Sequence, residues 1–208
     1  NRKRHSSCAE FGDVKLKMRP PNVKEQFMIT ADVVIPTLWT LSITLLYLKG
    51  KLSKAVLLGH FTGSLIGCTW ELTWKILGDD FLKDSTDFVN PIAGWYTKIL
   101  HSLWDGGIFL IGVLLCYMML QKRPLFLEYS AKEFLVMLIW GQVSSFIVES
   151  MCNGVIWEYQ VLPWNPAYLT VGGVSYTVIP QAVWLVAPLA FYSIWVPLFR
   201  KFGHVYYK

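Results

Sequence analysis

The chain has 208 residues, of which 54% are hydrophobic and only 16% are charged, and its mean hydropathy is +0.41. Soluble domains usually contain about a quarter of charged residues, so this composition and several long apolar runs argue against a soluble domain. They predict an all-α, polytopic membrane protein. The formal charge of +5 lies mostly in the tails and short loops, which indicates contact with lipid headgroups and no nucleic-acid binding.

The hydropathy pattern predicts a bundle of five transmembrane helices, at about residues 27–48, 54–77, 91–120, 133–157 and 178–199. These helices form one transmembrane domain over residues 27–201. A basic N-terminal tail (1–26) precedes it, and a short C-terminal tail (202–208) follows it. The N-terminal tail has no apolar core, so it is not expected to be a signal peptide. Asp32 enters the first span early, where we expect it near the interface.

The second span combines a row of glycines with a carboxyl group. Gly59, Gly63, Gly67 and Glu71 recur every four residues, so they share one helix face. Glycines let a neighbouring backbone come close, so this face could also receive a second copy of the chain or a membrane-complex neighbour. An ionisable group inside a membrane is a functional candidate. The alternative is a packing row in which Glu71 pairs with Lys75 near the interface.

The third span contains a polar group. His101 and Asp105 are four residues apart, so their side chains can meet, and Lys98 lies on the same side. This group is either a self-neutralising cluster near one interface or a carboxylate whose proton affinity is set by His101.

Polar residues also follow one stripe of the fourth span, namely Gln142, Ser145, Glu149 and Asn153. Such groups need partners in a membrane, so the stripe should face the bundle or a cavity. Residues 157–177 are expected to form a loop or a re-entrant hairpin. Its aromatic side chains form either an interfacial belt or a substrate gate. In the fifth span, Gln181 and Trp184 share one face.

Cysteines and histidines give no sign of a disulfide framework or a metal site. Cys8, Cys68, Cys116 and Cys152 are far apart, and no C-x-x-C motif occurs. The four histidines are too scattered for ligand spacing. We therefore expect no metal and no cofactor.

Charge predicts the orientation. Five spans place the basic loops 49–54 and 121–132 and the C-terminal tail on one side. The loops 78–90 and 157–177 on the other side are acidic or neutral. The positive-inside rule then puts the C-terminus on the cytoplasmic side, and we expect an endomembrane rather than the plasma membrane. The basic N-terminal tail conflicts with this assignment, although much of it is distant from the first span.

Three features resemble the emopamil-binding-protein-like sterol isomerases over roughly residues 59–197. They are an acidic second helix, Gly141-Gln142 in the fourth helix, and Gln181-Ala182-Val183-Trp184-Leu185-Val186 before Pro188 in the fifth. The resemblance implies a sterol in a tryptophan-lined membrane cavity and acidic residues that move a proton onto and off an olefin.

By position, the resemblance matches Glu71 to the family's second-helix carboxylate and Trp184 to its fifth-helix tryptophan. Two positions depart from the family. Its third-helix glutamate falls at Thr97, and its fifth-helix asparagine falls at Gln181. Asp105 or Glu149 would therefore have to supply the missing acid.

A second set of motifs resembles the cation-forming membrane cyclases of carotenoid and meroterpenoid synthesis. It comprises Trp157-Glu158-Tyr159, Trp164-Asn165-Pro166, Tyr168, Pro180 and Thr69-Trp70-Glu71. The acidic pair that follows the proline in that group is absent, because Gln181-Ala182 stand there. Both resemblances imply protonation of an olefin in an aromatic pocket.

The sequence therefore predicts a membrane enzyme, without a metal, that isomerises or cyclises an isoprenoid or sterol-like lipid by proton transfer. The expected catalytic residues are Glu71, His101, Asp105 and Glu149. The expected substrate-binding residues are His60, Trp70, Trp74, Trp104, Gln142, Gln181 and Trp184. Such an enzyme needs an apolar cavity of roughly 300–1,000 Å³ with Glu71 on its wall. The alternative is a non-catalytic accessory or lipid-binding subunit of a larger membrane complex, with a filled interior.

Overall fold

The computed structural model describes residues 22–84, 91–120 and 124–203, and within these ranges the chain is mostly α-helical. Five long helices are present: α1 (Val23–Leu48), α2 (Lys54–Leu77), α3 (Pro91–Met119), α4 (Ala131–Cys152) and α5 (Val178–Phe202). Short strands occupy the connections: β1 (Leu82–Asp84), β2 (Trp157–Tyr159), β3 (Ala167–Val171) and β4 (Val174–Thr177). The predicted helical class is confirmed. Most of the predicted N-terminal tail and C-terminal tail lies outside the described residues.

Four of the helices, α1, α3, α4 and α5, are long and apolar enough to cross a membrane. Within the described residues, α2, which was predicted as a span, is not among the helices that are long and apolar enough to cross a membrane. Its glycines and polar side chains lower its hydropathy, and nine of its residues are buried. One face of α2 is buried against α3 and α5, whereas Phe61, Leu65 and Ile76 on its other side are exposed.

Local signals fix the helix ends. α1 begins four residues earlier than predicted because Asn22 and Glu25 form a capping box: the Glu25 N–H donates to Asn22 Oδ1 (2.9 Å), and the Asn22 N–H donates to Glu25 Oε2 (2.7 Å). α4 ends at Cys152, earlier than the predicted residue 157. The helix stops there because Asn153 is extended and Gly154 has a φ of 75°, a conformation that favours glycine.

The connections group at the two ends of the bundle. β1 pairs antiparallel with β2, with Leu82 opposite Tyr159, and this pair joins the ends of α2 and α4. At the opposite end, Arg200 Nε donates to the Leu127 carbonyl (2.8 Å). There the Lys54 ammonium also lies 4.9 Å from the Phe202 ring centroid. The described parts of the two basic loops and the end of α5 therefore share one end.

The glycine row of α2 packs against helices of the same chain. A Cβ atom at Gly59 would overlap the Trp195 ring, and one at Gly63 would lie 2.8 Å from the Phe109 ring. At Gly67 it would lie 2.9 Å from Asp105 Cβ. The face that we expected to offer to a second copy or a neighbouring chain is thus filled by α3 and α5.

Candidate functional site

Seven titratable side chains from four helices and one strand meet near the β1–β2 end of the bundle. We call them the acid–base cluster: Asp32 (α1), Glu71 (α2), Asp84 (β1), Lys98, His101 and Asp105 (α3), and Glu149 (α4). All four of the predicted catalytic residues belong to this cluster. The other three members were not predicted as site residues.

Lys98 is the buried cation of the cluster. Its Nζ lies 3.0 Å from Asp84 Oδ2 and 3.4 Å from Glu71 Oε2, and the three side chains are at most 7% exposed. These contacts join α3 to β1 and α2. Glu71 is therefore ion-paired with Lys98 across the helix interface.

His101 is turned towards α1. Its Nδ1 lies 3.1 Å from Asp32 Oδ1, and its Nε2 lies 3.9 Å from Glu71 Oε1. Its ring meets Trp157 edge-on, with centroids 5.2 Å apart. Asp32, whose side chain is 14% exposed, is therefore an inward-facing partner and does not sit free at the interface. The hydrogen bond of His101 is with Asp32 of a different helix, and His101 also interacts electrostatically with Asp105, which was predicted to lie close to it.

Asp105 lies beneath Gly67 of α2 and is 3% exposed. Within the described structure, its Oδ2 has no hydrogen-bond partner. An ionised carboxylate in such a place costs several kcal/mol unless it is paired. The close approach of α2 at Gly67 is what excludes water from this carboxyl group.

Glu149 lies under an aromatic cover from β2. The Trp157 indole N–H donates to Glu149 Oε2 (3.4 Å), and the Tyr159 hydroxyl also hydrogen-bonds to Glu149. Burial raises the pKa of Tyr159 well above its ordinary value, and the nearby carboxylates raise it further. Tyr159 is thus a neutral donor at physiological pH. The predicted polar stripe of α4 does face inward at this position.

The cluster has more acids than bases. Its five carboxyl groups stand against Lys98 and His101, so full ionisation would leave three negative charges even with His101 protonated. The low-dielectric interior does not tolerate such a charge. Extra protons or a bound cation must therefore neutralise part of it. Among the described residues, no group of three or more His, Cys, Asp and Glu side chains has the arrangement of a metal site.

Aromatic rings line one side of the cluster. Trp74 meets Tyr159 edge-on, with centroids 5.5 Å apart. Trp70 lies 5.8 Å from Trp184, which in turn lies 5.4 Å from Phe109. The three tryptophans that were predicted to bind substrate thus belong to two aromatic groups, Trp74 with Tyr159 and Trp70 with Trp184.

The other predicted substrate-binding residues lie apart from these aromatic groups or are already occupied. His60 is fully buried, and its Nε2 contacts Thr40 Oγ1 at 2.9 Å. It lies eleven residues from Glu71, about 16 Å along the helix. Gln181 Nε2 donates to Gln142 Oε1 (2.8 Å), which ties α5 to α4. Trp104 is half-buried on α3.

Two cavities lie at opposite ends of the bundle. A cavity of about 10 Å³, enough for one water molecule, lies within the cluster. Its lining includes Asp32, Asp84, Thr97, Lys98, His101 and Trp157. The other, of about 860 Å³, lies between the end of α3 and the start of α4, and its lining includes Met119, Leu120, Leu125, Tyr129 and Glu133. Glu71 lines neither of these two cavities.

Sequence reasoning missed the long-range partners of the cluster. Asp84 lies in the connection after α2, which was predicted only as a loop over residues 78–90. Lys98 was recognised only as a neighbour of His101. Tyr159 was recognised only as an aromatic residue of the connection. In a short strand over Trp157–Tyr159, Trp157 and Tyr159 point to the face opposite Glu158. This alternation could have indicated that Tyr159 is buried.

Comparisons of the chain with protein-family models, with curated proteins and with solved structures found no match. The two resemblances described above therefore remain predictions.

Proposed function

We propose that this chain is a multi-pass membrane protein of five spans, in which α2 crosses with its glycine face packed against α3 and α5. The proposal is supported by the length and composition of α1, α3, α4 and α5, and by the burial of the α2 glycine face. We further propose that the end with the two basic loops faces the cytoplasm and that the protein resides in an endomembrane.

Within this protein, the acid–base cluster transfers protons to and from an olefin of an isoprenoid or sterol-like lipid. The observation that carries the proposal is the surplus of carboxyl groups in a dry cluster bounded by aromatic rings. Ion pairs with Lys98 and His101 account for the burial of Asp32, Glu71 and Asp84, because these pairs join neighbouring elements. They do not explain Asp105, whose buried oxygen has no partner. Groups that are costly to bury and unnecessary for packing point to chemistry.

The cluster suggests a division of roles. Asp105, in its unpartnered and neutral form, is placed to be the acid: its proton is added to one carbon of the double bond, which leaves a carboxylate and a tertiary carbocation. Glu71 lies beside the two cations, Lys98 and His101, so it is placed to be the base. Its carboxylate removes a proton from an adjacent carbon, which moves the double bond. Attack of a second olefin on the cation would instead close a ring.

Aromatic faces suit this intermediate. A cation near a Trp or Tyr ring is stabilised by about 0.5–2 kcal/mol per ring. Trp74, Trp157 and Tyr159 surround the cluster on the β2 side. Glu149, which accepts from Trp157, holds that ring in place and is a second candidate acid.

Glu71 lines neither of the two cavities described above, so the proposal includes entry of the substrate by displacement of an element. The described part of α1 has only two buried residues, Pro36 and Ile43. It is joined to the cluster through Asp32 and His101. Outward movement of α1 would open the cluster towards the lipid, and this movement belongs to the proposal.

Deuterium incorporation tests the proposed function. Protein in vesicles would be incubated in D₂O with sterol and linear isoprenoid olefins, and the lipids analysed by mass spectrometry. The proposal predicts products that gain one deuterium, and loss of about 10²-fold or more in rate for Glu71→Gln or Asp105→Asn. The matched control is Glu158→Gln, a carboxyl on β2 outside the cluster, which should leave the rate unchanged. Equal rates for Glu71→Gln and the parent would refute the role of the cluster.

A second function is favoured by one observation: Glu71 is buried and lines neither of the two described cavities. A non-catalytic accessory or lipid-binding subunit needs no cavity at the acids, and the ion pairs would then only join α1, α2, α3 and β1. Such a subunit should co-purify with a fixed set of membrane proteins through the exposed side of α1. It should also incorporate no deuterium into any olefin. Purification in mild detergent, followed by mass spectrometry of both protein and lipid, separates the two functions.

A further inference from the structure

The connection between α4 and α5 carries a hairpin, formed by β3 and β4, whose side chains are mostly apolar and exposed. β3 is exposed along its whole length, on both of its faces. The large exposed side chains in this connection are Val161, Trp164, Tyr168, Leu169 and Val171, with exposures between 39% and 56%. Apolar groups presented together in this way mark a surface that something covers.

The hairpin is held firmly in place. Asn165 is fully buried, its Nδ2 donates to the Gln160 carbonyl (3.0 Å), and its Oδ1 accepts from the Ile179 N–H (2.9 Å). From α4, Asn153 Nδ2 donates to the Ser175 carbonyl (3.0 Å). The turn consists of Gly172 and Gly173, with φ of 59° and 84°. The hairpin is thus a fixed projection, presented at a defined place.

Charge indicates what covers it. From residue 159 to residue 199 the chain contains no Asp, Glu, Lys or Arg. The exposed protein surfaces that bind other proteins reversibly usually keep a polar rim, whereas a charge-free segment rich in Trp and Tyr is typical of the boundary between lipid headgroups and acyl chains.

The position of the hairpin beside α4 also indicates that lipid covers it. Tyr176 of β4 stacks on Phe146 of α4, with ring centroids 6.0 Å apart. Phe146 is 45% exposed and lies six residues before the end of α4 at Cys152, about 9 Å along the helix axis. The hairpin therefore lies beside the apolar outer surface of α4 and is continuous with it.

We propose that the β3–β4 hairpin is inserted in the membrane interface, where phospholipids cover the exposed side chains of β3. This inference rests on the proposed membrane spanning of α4 and α5, but not on the proposed chemistry. β3 and β4 pair with each other over four residue pairs, from Ala167 opposite Thr177 to Val171 opposite Val174, with a register shift between Ala167 and Leu169. The backbone N–H and C=O groups on the outer edges of a two-stranded ribbon need headgroups or water as hydrogen-bond partners. The hairpin therefore fits the interface and not the hydrocarbon centre of the membrane.

Spin-label accessibility tests this proposal. In the full chain with its cysteines replaced, single cysteines would be introduced as Val171→Cys and Leu169→Cys in the hairpin. Leu185→Cys on the exposed face of α5 serves as the lipid control, and Lys51→Cys in the α1–α2 loop as the aqueous control. The labelled proteins would be placed in phosphatidylcholine–phosphatidylglycerol vesicles. Collisions with oxygen, which is enriched in lipid, and with a water-soluble nickel chelate would then be compared.

The proposal predicts that oxygen collisions exceed nickel collisions at both hairpin positions and at Leu185, with the reverse at Lys51. Nickel collisions that dominate at Leu169 and Val171, with Leu185 still in lipid, would overturn the hairpin proposal alone. Strong immobilisation with protection from both reagents would also overturn it, because a protein would then cover the hairpin. A water-exposed Leu185 would overturn the spanning proposal and the hairpin proposal with it.

Discussion

Removal of the buried cation is the perturbation that tests the described cluster most strictly. Lys98→Met keeps the length and most of the apolar contact of the side chain. It leaves Glu71 and Asp84, which lie 3.4 and 3.0 Å from the ammonium, without their positive partner. Breaking a buried pair in this way costs about 3–5 kcal/mol. For a chain of this size that corresponds to a fall in the unfolding midpoint of about 6–20 °C.

Thiol reactivity provides the assay. Cys116 is fully buried, so a fluorogenic maleimide reports its exposure as the protein is heated in detergent. Lys51→Met, in an exposed position, is the matched control and should leave the midpoint unchanged. Combining Lys98→Met with Glu71→Gln should recover part of the loss, because one of the two stranded carboxylates is then removed. A Lys98→Met protein as stable as the parent, with no recovery in the double variant, would refute the description of these contacts as a charged network.

Three further predictions follow from single contacts. Glu71→Gln should destabilise the protein less than Lys98→Met in the same assay, because Asp84 still neutralises the lysine; a larger loss would contradict this. Gly67→Ala should lower the free energy of unfolding by about 1–3 kcal/mol, since the added methyl group meets Asp105. An unchanged unfolding midpoint would contradict the close packing of α2 on α3 at this position. Glu133→Ala should lower the free energy of unfolding by about 1–3 kcal/mol, because the buried Phe126 N–H loses its acceptor at 2.9 Å. Replacement of an exposed glutamate by alanine should leave the unfolding midpoint unchanged.

The helices were predictable because their signals are local. Apolar periodicity and the residues at the ends located all five helices, and the polar stripes of α2 and α4 identified their inward faces. The end of α4 was wrong by five residues, because the pattern of apolar residues continues past Gly154 into β2. The β1–β2 pair and the β3–β4 hairpin were not predicted in detail, since three- to five-residue strands leave little periodicity to detect.

The composition of the site was less predictable than the helices. Spacing along one helix suggested His101 with Asp105 and Glu71 with Lys75, but it did not indicate the pairs of His101 with Asp32 and of Glu71 with Lys98 that the structure shows. Such partners are 27 to 69 residues apart, and no rule based on one helix can find them. The glycine row illustrates the same limit: its close packing was predicted, but which helices would fill it was not.

The surplus of protons in the cluster is the central claim, and infrared difference spectroscopy measures it most directly. Carboxylic acids absorb at higher frequency than carboxylates, and buried ones shift on exchange into D₂O. We predict such a band at neutral pH in the membrane-embedded protein, with its intensity reduced in Asp105→Asn and unchanged in Glu158→Gln. A spectrum with no carboxylic-acid band, or one that Asp105→Asn leaves unaltered, would contradict the account, because the cluster would then hold no acid able to give a proton.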